Sequence, residues 1–521
     1  MPAWAWILAG AVAVAAVVRG YQLARPGMLL GVTEYDDGGY FGSAVRLLNG
    51  MVPYRDFVMV QPPGITLLMA PAAALSKAAG TAWAMAAGRI ATSLASVASV
   101  AVAGLVVRHR GALAVLVTCG LMAVYPDAVE AAHTVLVEPW LTLFCLLGTW
   151  GVFAGGVVTR SWRRLCLAGV AFGFAGAVEG WAIVPVLVVL AVIAATGPGG
   201  IRVRLRRAGV FAAGVAAGFV VPVAPFAAAS LRGLYRSLIV AQIGPRPTEL
   251  GQPVPVVTRL QHMAGLVDFH WTSRAIVFIA VAIAALIVVL TAAAWVLTRR
   301  PPPALDAFDL VTTGAIVALF LWPHQFYYHF GAFLIPFLAM AIALPAARII
   351  EAVTAASPAE GWLRWAIPAL TAAVLVVFTG QLLVSEGKLA PSLGPVAIAR
   401  IVRPVPAGAC VVSDQPSLLL MASRFTSDVP GCSALVDPLG TNLGLSGGFK
   451  ARRGAGNVPA VAAVYRSAFV HAQYALLTPH NPWRIPWTPE LQAYFHQHFV
   501  RVLGNAKGDV LYARTGHSSN H

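Results

Sequence analysis

Charged residues are scarce in this chain of 521 residues: Asp, Glu, Lys and Arg make up 11% of it, whereas 59% of the residues are hydrophobic. This balance, with a mean hydropathy of +0.76, is typical of a protein with many membrane spans and not of a soluble one. Acidic residues are scarcer than basic ones, 20 against 36. The arginines fall in short clusters between apolar runs, which is the distribution of cytoplasmic loops and excludes a nucleic-acid-binding stripe. Lysine is rare beside Ala, Val and Gly, a composition that indicates a GC-rich bacterial source.

The apolar runs predict about eleven transmembrane helices of roughly 17–25 residues. They lie near residues 3–18, 84–107, 112–125, 133–157, 163–178, 180–197, 208–229, 275–298, 307–323, 330–347 and 363–384. The first run has no basic segment before it and no good cleavage site after it, so it is interpreted as a retained span. Residues 62–76 are apolar but short, and they suit a helix at the membrane interface.

Every second loop between these spans carries arginine, as at Arg108 and Arg110 or at Arg299 and Arg300. Because basic loops stay in the cytoplasm, the pattern predicts a cytoplasmic N-terminus and an extracytoplasmic C-terminus in a bacterial plasma membrane. The acidic residues collect in the opposite, external loops.

The chain divides by hydropathy into a transmembrane domain of residues 1–388 and an extracytoplasmic α/β domain of residues 389–515. A tail at 516–521 is expected to be disordered. Apolar patterning predicts a helix over 415–424 and four strands, at 409–414, 432–437, 474–479 and 509–514.

Two of the five cysteines, Cys410 and Cys432, each open one of these predicted strands. In a β-α-β unit the two strand starts would be neighbours, so a disulfide and two free thiols are both open in an oxidising compartment. The other three cysteines lie in apolar spans and are interpreted as small core residues.

The first external loop contains the stretch TEYDDGGYFG (33–42), with Glu34, Asp36 and Asp37 within four positions. Such carboxylates can be the solvated end of a loop. The sequence that follows has the pattern of amphipathic helices, which would hold the acids at the membrane surface. There a carboxylate can accept a proton from a hydroxyl or bind a divalent cation, and its neighbour can raise its pKa.

Other polar residues are predicted to meet on the same face. His133 and Glu138 flank the fourth span, and Tyr327, Tyr328 and His329 precede the tenth; the tyrosines can equally belong to the interfacial aromatic belt. The external cations are candidates for binding a lipid phosphate or for headgroup snorkelling. They are Lys77, Arg89 and, in the loop 230–273, Arg232, Arg236, Arg246 and Arg259.

The run from Glu34 to Gly64, the arginine of the second span and the VEP of 137–139 together resemble the GT-C superfamily of polyprenyl-phosphate-sugar glycosyltransferases. Protein O-mannosyltransferases, aminoarabinose transferases and actinobacterial cell-envelope enzymes are members. The resemblance implies Asp36 and Asp37 as catalytic acids, with Asp36 as the base, and Lys77, the loop arginines and Tyr328 around the donor. Members often carry a basic residue where this chain has Glu179.

The predicted function is therefore transfer of a sugar, mannose or arabinofuranose, from a polyprenyl-phosphate donor to a glycan, glycolipid or protein hydroxyl. Cofactors are undetermined, with a divalent cation open, and no nucleic acid is expected. The alternatives are a transporter or flippase of a lipid-linked glycan and a non-catalytic envelope assembly protein. A transporter usually places its site at broken helices near the membrane midplane, whereas the polar residues here collect at the outer ends of spans.

Overall fold

A computed structural model describes residues 2–242, 254–322, 326–356, 362–433, 435–447, 455–479 and 484–516. The described chain before residue 390 is mostly helical and contains a short β-hairpin, β1 (Phe153–Ala154) with β2 (Val157–Val158). Its helices are α1 (Ala3–Ala24), α2 (Asp36–Leu48), α3 (Gly64–Ala74), α4 (Ser76–Val107), α5 (Gly111–Val124), α6 (Pro126–Glu130), α7 (Glu138–Val152), α8 (Trp162–Val178), α9 (Ile183–Thr196), α10 (Ile201–Leu238), α11 (Val256–Met263), α12 (Ser273–Thr298), α13 (Ala304–Leu321), α14 (Phe330–Ala356) and α15 (Leu363–Glu386).

Seven helical stretches of the described chain are long and apolar enough to cross a membrane. An eighth is added if the bent pair Pro126–His133 and Glu138–Val152 forms one span. One of the seven, Ser76–Val124, contains both α4 and α5. Cys119 donates to the carbonyl of Val100 across 3.4 Å, so the chain reverses at Gly111 and α5 lies beside α4. The protein is thus a multi-pass membrane protein, and the count of eleven remains a prediction.

The shorter helices explain the difference from eleven. α9 has 14 residues and rises about 21 Å at 1.5 Å per residue, less than the ~30 Å of a hydrocarbon core. The fourth predicted span, near 133–157, ends early because residues 153–158 form the β-hairpin. A hydropathy profile detects such apolar runs, but it does not show at which residue the helix ends.

α8 and α10 are in backbone contact through two pairs of glycines spaced four residues apart. A Cβ at Gly169 or Gly173 on α8 would collide with a backbone carbonyl of α10, and one at Gly214 or Gly218 on α10 with a carbonyl of α8. Such small-xxx-small pairs allow close approach of membrane helices, where van der Waals packing drives association.

After residue 390 the chain forms a four-stranded sheet in the order β3-β4-β6-β5. β3 and β4 are parallel, whereas β4 with β6 and β6 with β5 are antiparallel. The elements are α16 (Pro395–Ile401), β3 (Val411–Ser413), α17 (Pro416–Met421), α18 (Pro438–Leu445), α19 (Pro459–His471), β4 (Tyr474–Leu477), α20 (Pro489–His498), β5 (Phe499–Gly504) and β6 (Val510–Arg514).

The predicted strand at 432–437 is wrong. The described residues of that segment are irregular and lead to α18, whose first residue Pro438 follows the capping Asp437. The place beside β3 is taken by β4, and β5 was not predicted. Cys410 and Cys432 nevertheless form a disulfide, with sulfurs 2.09 Å apart. Because Cys432 lies in a loop, the strand argument for this pairing does not hold. The predicted disordered tail falls on residues 517–521, outside the described residues, apart from Gly516.

Candidate functional site

A cavity lies where the starts of α2, α7, α14 and α18 meet. Charged and histidine side chains on its wall are Asp36, Glu138, Glu179, His329 and Asp437. The other lining residues are Tyr35, Gly39, Tyr40, Met59, Val60, Gln61, Trp181, Gln242, Tyr327, Phe330, Leu439, Gly440 and Leu443. Four of these five side chains are carboxylic acids, so the wall of the cavity is acidic.

Asp36 is the first residue of α2 and its side chain is half-buried on the cavity wall. Burial, with the negative charge of Glu34, raises the pKa of Asp36 to about 7. The positive charge of His329 acts in the opposite direction. A carboxyl group with this pKa can exchange a proton near neutral pH, as a general base must.

His329 and Glu138 form a buried pair on the same wall, with His329 Nδ1 2.6 Å from Glu138 Oε1. Burial lowers the pKa of His329, but the charge and hydrogen bond of Glu138 outweigh it and raise the pKa to about 9. The imidazole is therefore protonated at neutral pH. It places one positive charge beside Asp36 on a wall whose other carboxylic acids are Glu138, Glu179 and Asp437.

Asp37 has a different environment from its neighbour. It is 0% exposed and forms an ion pair with Arg89, whose Nη2 donates to Oδ2 at 2.7 Å. Thr134 donates to the same oxygen. Arg89 also donates through Nη1 to the carbonyls of Met28, Leu29 and Gly31 at 2.8–3.0 Å. Arg89, predicted to bind a donor, and Asp37, predicted to be catalytic, are both enclosed and off the cavity wall. The structure gives neither role support, and both remain predictions.

The remaining predicted residues divide into two groups. Glu34 accepts from Tyr328 Oη at 3.2 Å, and Tyr327 lies on the cavity wall with its ring stacked on His329. Glu34 is close enough for its charge to raise the pKa of Asp36, and Tyr327 shares the cavity wall with Asp36. His133 is buried beneath them, bonded to Gln22 and to the carbonyl of Glu130, and does not line the cavity.

Of two predicted phosphate ligands, one is described and is not on the cavity wall, and the other falls outside the described residues. Lys77 is exposed near the start of α4. Arg246 lies outside the described residues, although Gln242, four residues earlier, lines the cavity. A role for either residue in binding a donor remains a prediction.

Asp437 is a site residue that sequence reasoning missed. It caps α18 by accepting from the backbone N–H of Gly440 at 2.9 Å, and it accepts from Tyr35 Oη at 2.8 Å. Arg484 lies 3.7 Å from the Tyr35 ring centroid. Asp followed by Pro is a helix-start signal and could have identified the cap, but not its proximity to Tyr35, which is 402 residues away in sequence.

A second, apolar groove runs between α11, α12, α13 and α14. Its wall is almost entirely aliphatic. The lining residues are Leu260, Met263, Ala264, Ala280, Ile283, Ala284, Ile287, Leu310, Thr313, Gly314, Val317, Leu334 and Leu338. Such a surface suits a hydrocarbon chain.

Within the described ranges, no three His, Cys, Asp or Glu side chains are arranged to hold a metal ion.

No protein-family model matches the sequence, and no curated protein matches it by sequence. Solved structures match over nearly the whole chain. ArnT from Cupriavidus metallidurans bound to undecaprenyl phosphate has a TM-score of 0.60 at 14% identity, covering 98% of both chains. AglB, the oligosaccharyltransferase of Archaeoglobus fulgidus in complex with an inhibitory peptide and a dolichol-phosphate, has 0.59 at 12%, covering 99% of this chain and 74% of its own.

The arabinofuranosyltransferase AftD from Mycobacteria has a TM-score of 0.51 at 14% identity, covering 99% of this chain and 40% of its own. These likenesses confirm the predicted GT-C fold. At such low sequence identities, the likenesses establish the fold but do not identify the substrate.

Proposed function

We propose that this chain is a glycosyltransferase that moves a sugar from a polyprenyl-phosphate donor to an acceptor hydroxyl at the extracytoplasmic face of a bacterial plasma membrane. The observation that carries the proposal is Asp36, a carboxylate on the cavity wall with a pKa of about 7. The GT-C fold adds support, because structures with that fold include glycosyltransferases.

In the proposed reaction the acceptor hydroxyl gives its proton to the carboxylate of Asp36 while its oxygen bonds to the anomeric carbon. The bond from that carbon to the phosphate oxygen breaks, and its electron pair leaves with polyprenyl phosphate. The protonated His329 would stabilise the negative charge that grows on the leaving phosphate, because a charge-assisted hydrogen bond is stronger than a neutral one. Glu138 keeps that imidazole protonated.

The apolar groove between α11 and α14 is the proposed binding surface for the polyprenyl chain. Its aliphatic lining supports this assignment, as do undecaprenyl phosphate on ArnT and dolichol-phosphate on AglB. We keep the predicted sugar, which is mannose or arabinofuranose. We also keep the predicted acceptor, which is a glycan, a glycolipid or a protein. Residues 1–388 would be the catalytic membrane domain, with eleven spans, and 389–515 the external domain.

One observation favours a transporter as the second candidate. α6 and α7 are bent by 114° at a short break, and Glu138 lies at that break. Broken helices line the sites of many transporters. Against this, residues 437–443 of α18 and its cap form one wall of the cavity, so a translocated ligand would have to displace them.

The deciding experiment measures sugar transfer from a synthetic polyprenyl-phosphate sugar in proteoliposomes. Asp36→Asn keeps the side-chain shape and removes the base, so the initial rate should fall about a hundredfold or more. Asp56→Asn is the matched control, because Asp56 is in an exposed loop paired with Arg55. Equal rates for the two variants, or lipid movement without transfer, would contradict the proposal.

A further inference from the structure

The segment after β3 contacts the start of α2 at several points. From these contacts we infer that Ser417, assisted by Gln415, is a positioning residue that holds Asp36 towards the cavity. The catalytic part of this inference rests on the function proposed above.

The contacts meet at the two residues before Asp36. Ser417 Oγ donates to the carbonyl of Glu34 at 2.6 Å and lies 3.4 Å from the carbonyl of Tyr35. Gln415 Nε2 donates to the carbonyl of Glu34 at 3.3 Å. Ser417 is completely buried and Gln415 nearly so, and therefore no bulk water competes for these hydrogen bonds.

α2 needs such support because its own sequence does not fix where it starts. Tyr35, its N-cap residue, makes no side-chain capping hydrogen bond, although a Ser, Thr, Asp or Asn at that position usually makes one. Asp36 is the first helical residue. The direction of its side chain therefore follows from the backbone orientation at Glu34 and Tyr35, the two carbonyls that Ser417 contacts.

The contact is also close enough to require glycine. A Cβ at Gly38 would collide with the backbone nitrogen of Ser417 and lie 2.8 Å from its Oγ. α17 has a second attachment that does not involve Ser417, since Thr81 Oγ1 donates to the carbonyl of Leu420 at 2.6 Å. Removal of the Ser417 hydroxyl should thus leave α17 in place and release only the turn before Asp36.

The test compares Ser417→Ala with Ser43→Ala in the full-length protein in proteoliposomes. Ser43 is an equally buried hydroxyl of α2 that bonds to the carbonyl of Tyr40 at 2.8 Å and to Thr66 Oγ1 at 2.7 Å. Two properties are measured: the pH dependence of transfer from a polyprenyl-phosphate sugar, and amide hydrogen exchange across residues 33–40 without substrate.

Ser417→Ala should lower kcat roughly tenfold or more, with KM for the donor nearly unchanged, since binding groups stay in place. The acid limb of the profile should move to lower pH, because a less enclosed Asp36 regains a more ordinary pKa. Amide exchange in 33–40 should become faster in this variant and not in Ser43→Ala.

Equal exchange in the two variants would overturn the inference, and so would equal kcat and equal pH profiles. If the wild-type protein transfers no sugar, the proposed function fails. The exchange comparison then still decides whether Ser417 fixes the turn.

Discussion

At the scale of single residues, two adjacent acids have opposite environments. Successive residues of a helix point roughly 100° apart, so Asp36 faces the cavity while Asp37 faces the interior and pairs with Arg89. Burial and the negative charge of Glu34 raise the pKa of Asp36, whereas Asp37 forms a buried ion pair with Arg89. In the proposed reaction Asp36 is the reactive carboxylate, whereas the ion pair of Asp37 anchors α2.

Asp37→Asn should destabilise the protein, because it leaves the charge of Arg89 buried without its partner. Breaking a buried ion pair costs about 3–5 kcal/mol. Thermal unfolding in detergent, followed by tryptophan fluorescence, measures the loss, with Asp36→Asn as the control that breaks no ion pair. An unchanged midpoint for Asp37→Asn would mean that Arg89 finds other acceptors.

The pH profile of transfer should be bell-shaped, and Glu138→Gln should move its basic limb to lower pH. Transfer rises as Asp36 loses its proton near pH 7 and falls as His329 loses its proton near pH 9. Burial lowers the pKa of His329 and Glu138 raises it, so removing the charge of Glu138 moves the basic limb to lower pH. The measurement is kcat from pH 5 to 10, with Glu490→Gln, an exposed change on α20, as control. A basic limb that stays in place would remove His329 from the mechanism.

The acidic cluster and its partners around His329 could be predicted from sequence, because short carboxylates beside an apolar run are conspicuous in so uncharged a chain. The division of roles between Asp36 and Asp37 could not. It depends on Arg89, 52 residues away, and on which side of α2 meets the interior. A local sequence pattern does not show contacts between residues so far apart in the chain.

At the scale of elements, close helix packing depends on glycines that a hydropathy profile ignores. The spans of α12 and α13 and the start of α14 were predicted within a few residues because long apolar runs fix them, whereas α14 continues to Ala356, past the predicted end at residue 347. The segment 432–437 was misread because its apolar residues suit a strand as well as a loop. Whether such a segment forms a strand depends on whether a neighbouring strand is free to pair with it. Here β4 (474–477) already pairs with β3.

Gly173→Ala should therefore loosen the α8–α10 contact, since its Cβ would collide with the carbonyl of Val215. Overpacking of this kind costs about 1–3 kcal/mol. Gly176→Ala on the same helix is the matched control, because its Cβ would meet only Phe219, at an ordinary 3.6 Å. Unfolding midpoints in detergent should fall for the first variant and hold or rise for the second; equal midpoints would show that α10 can move aside.

At the scale of the whole molecule, the candidate site and the C-terminal sheet region must lie on one side of the membrane. Asp437 lines the cavity with Asp36, and Ser417 contacts the backbone before Asp36. The region after residue 390, expected from hydropathy to be a separate domain, thus supplies one wall of the cavity. Sequence alone could not reveal this, because the contacts join residues about 400 positions apart.

Topology is consequently a test of the whole proposal. The arginine-bearing loops predict that Arg299 and Arg300 are cytoplasmic and that the C-terminus is external. Alkaline phosphatase fused after residue 521 of the complete chain should be active, whereas the same enzyme inserted after Arg300 should be inactive. A fluorescent protein that matures only in the cytoplasm should give the opposite result at both positions. Because the fusion after 521 leaves every contact of Ser417 and Asp437 intact, its signal reports the side of the cavity as well. The reverse pattern would place Asp36 in the cytoplasm and rule out a donor in the outer leaflet, whatever the variants at Asp36 do to the rate.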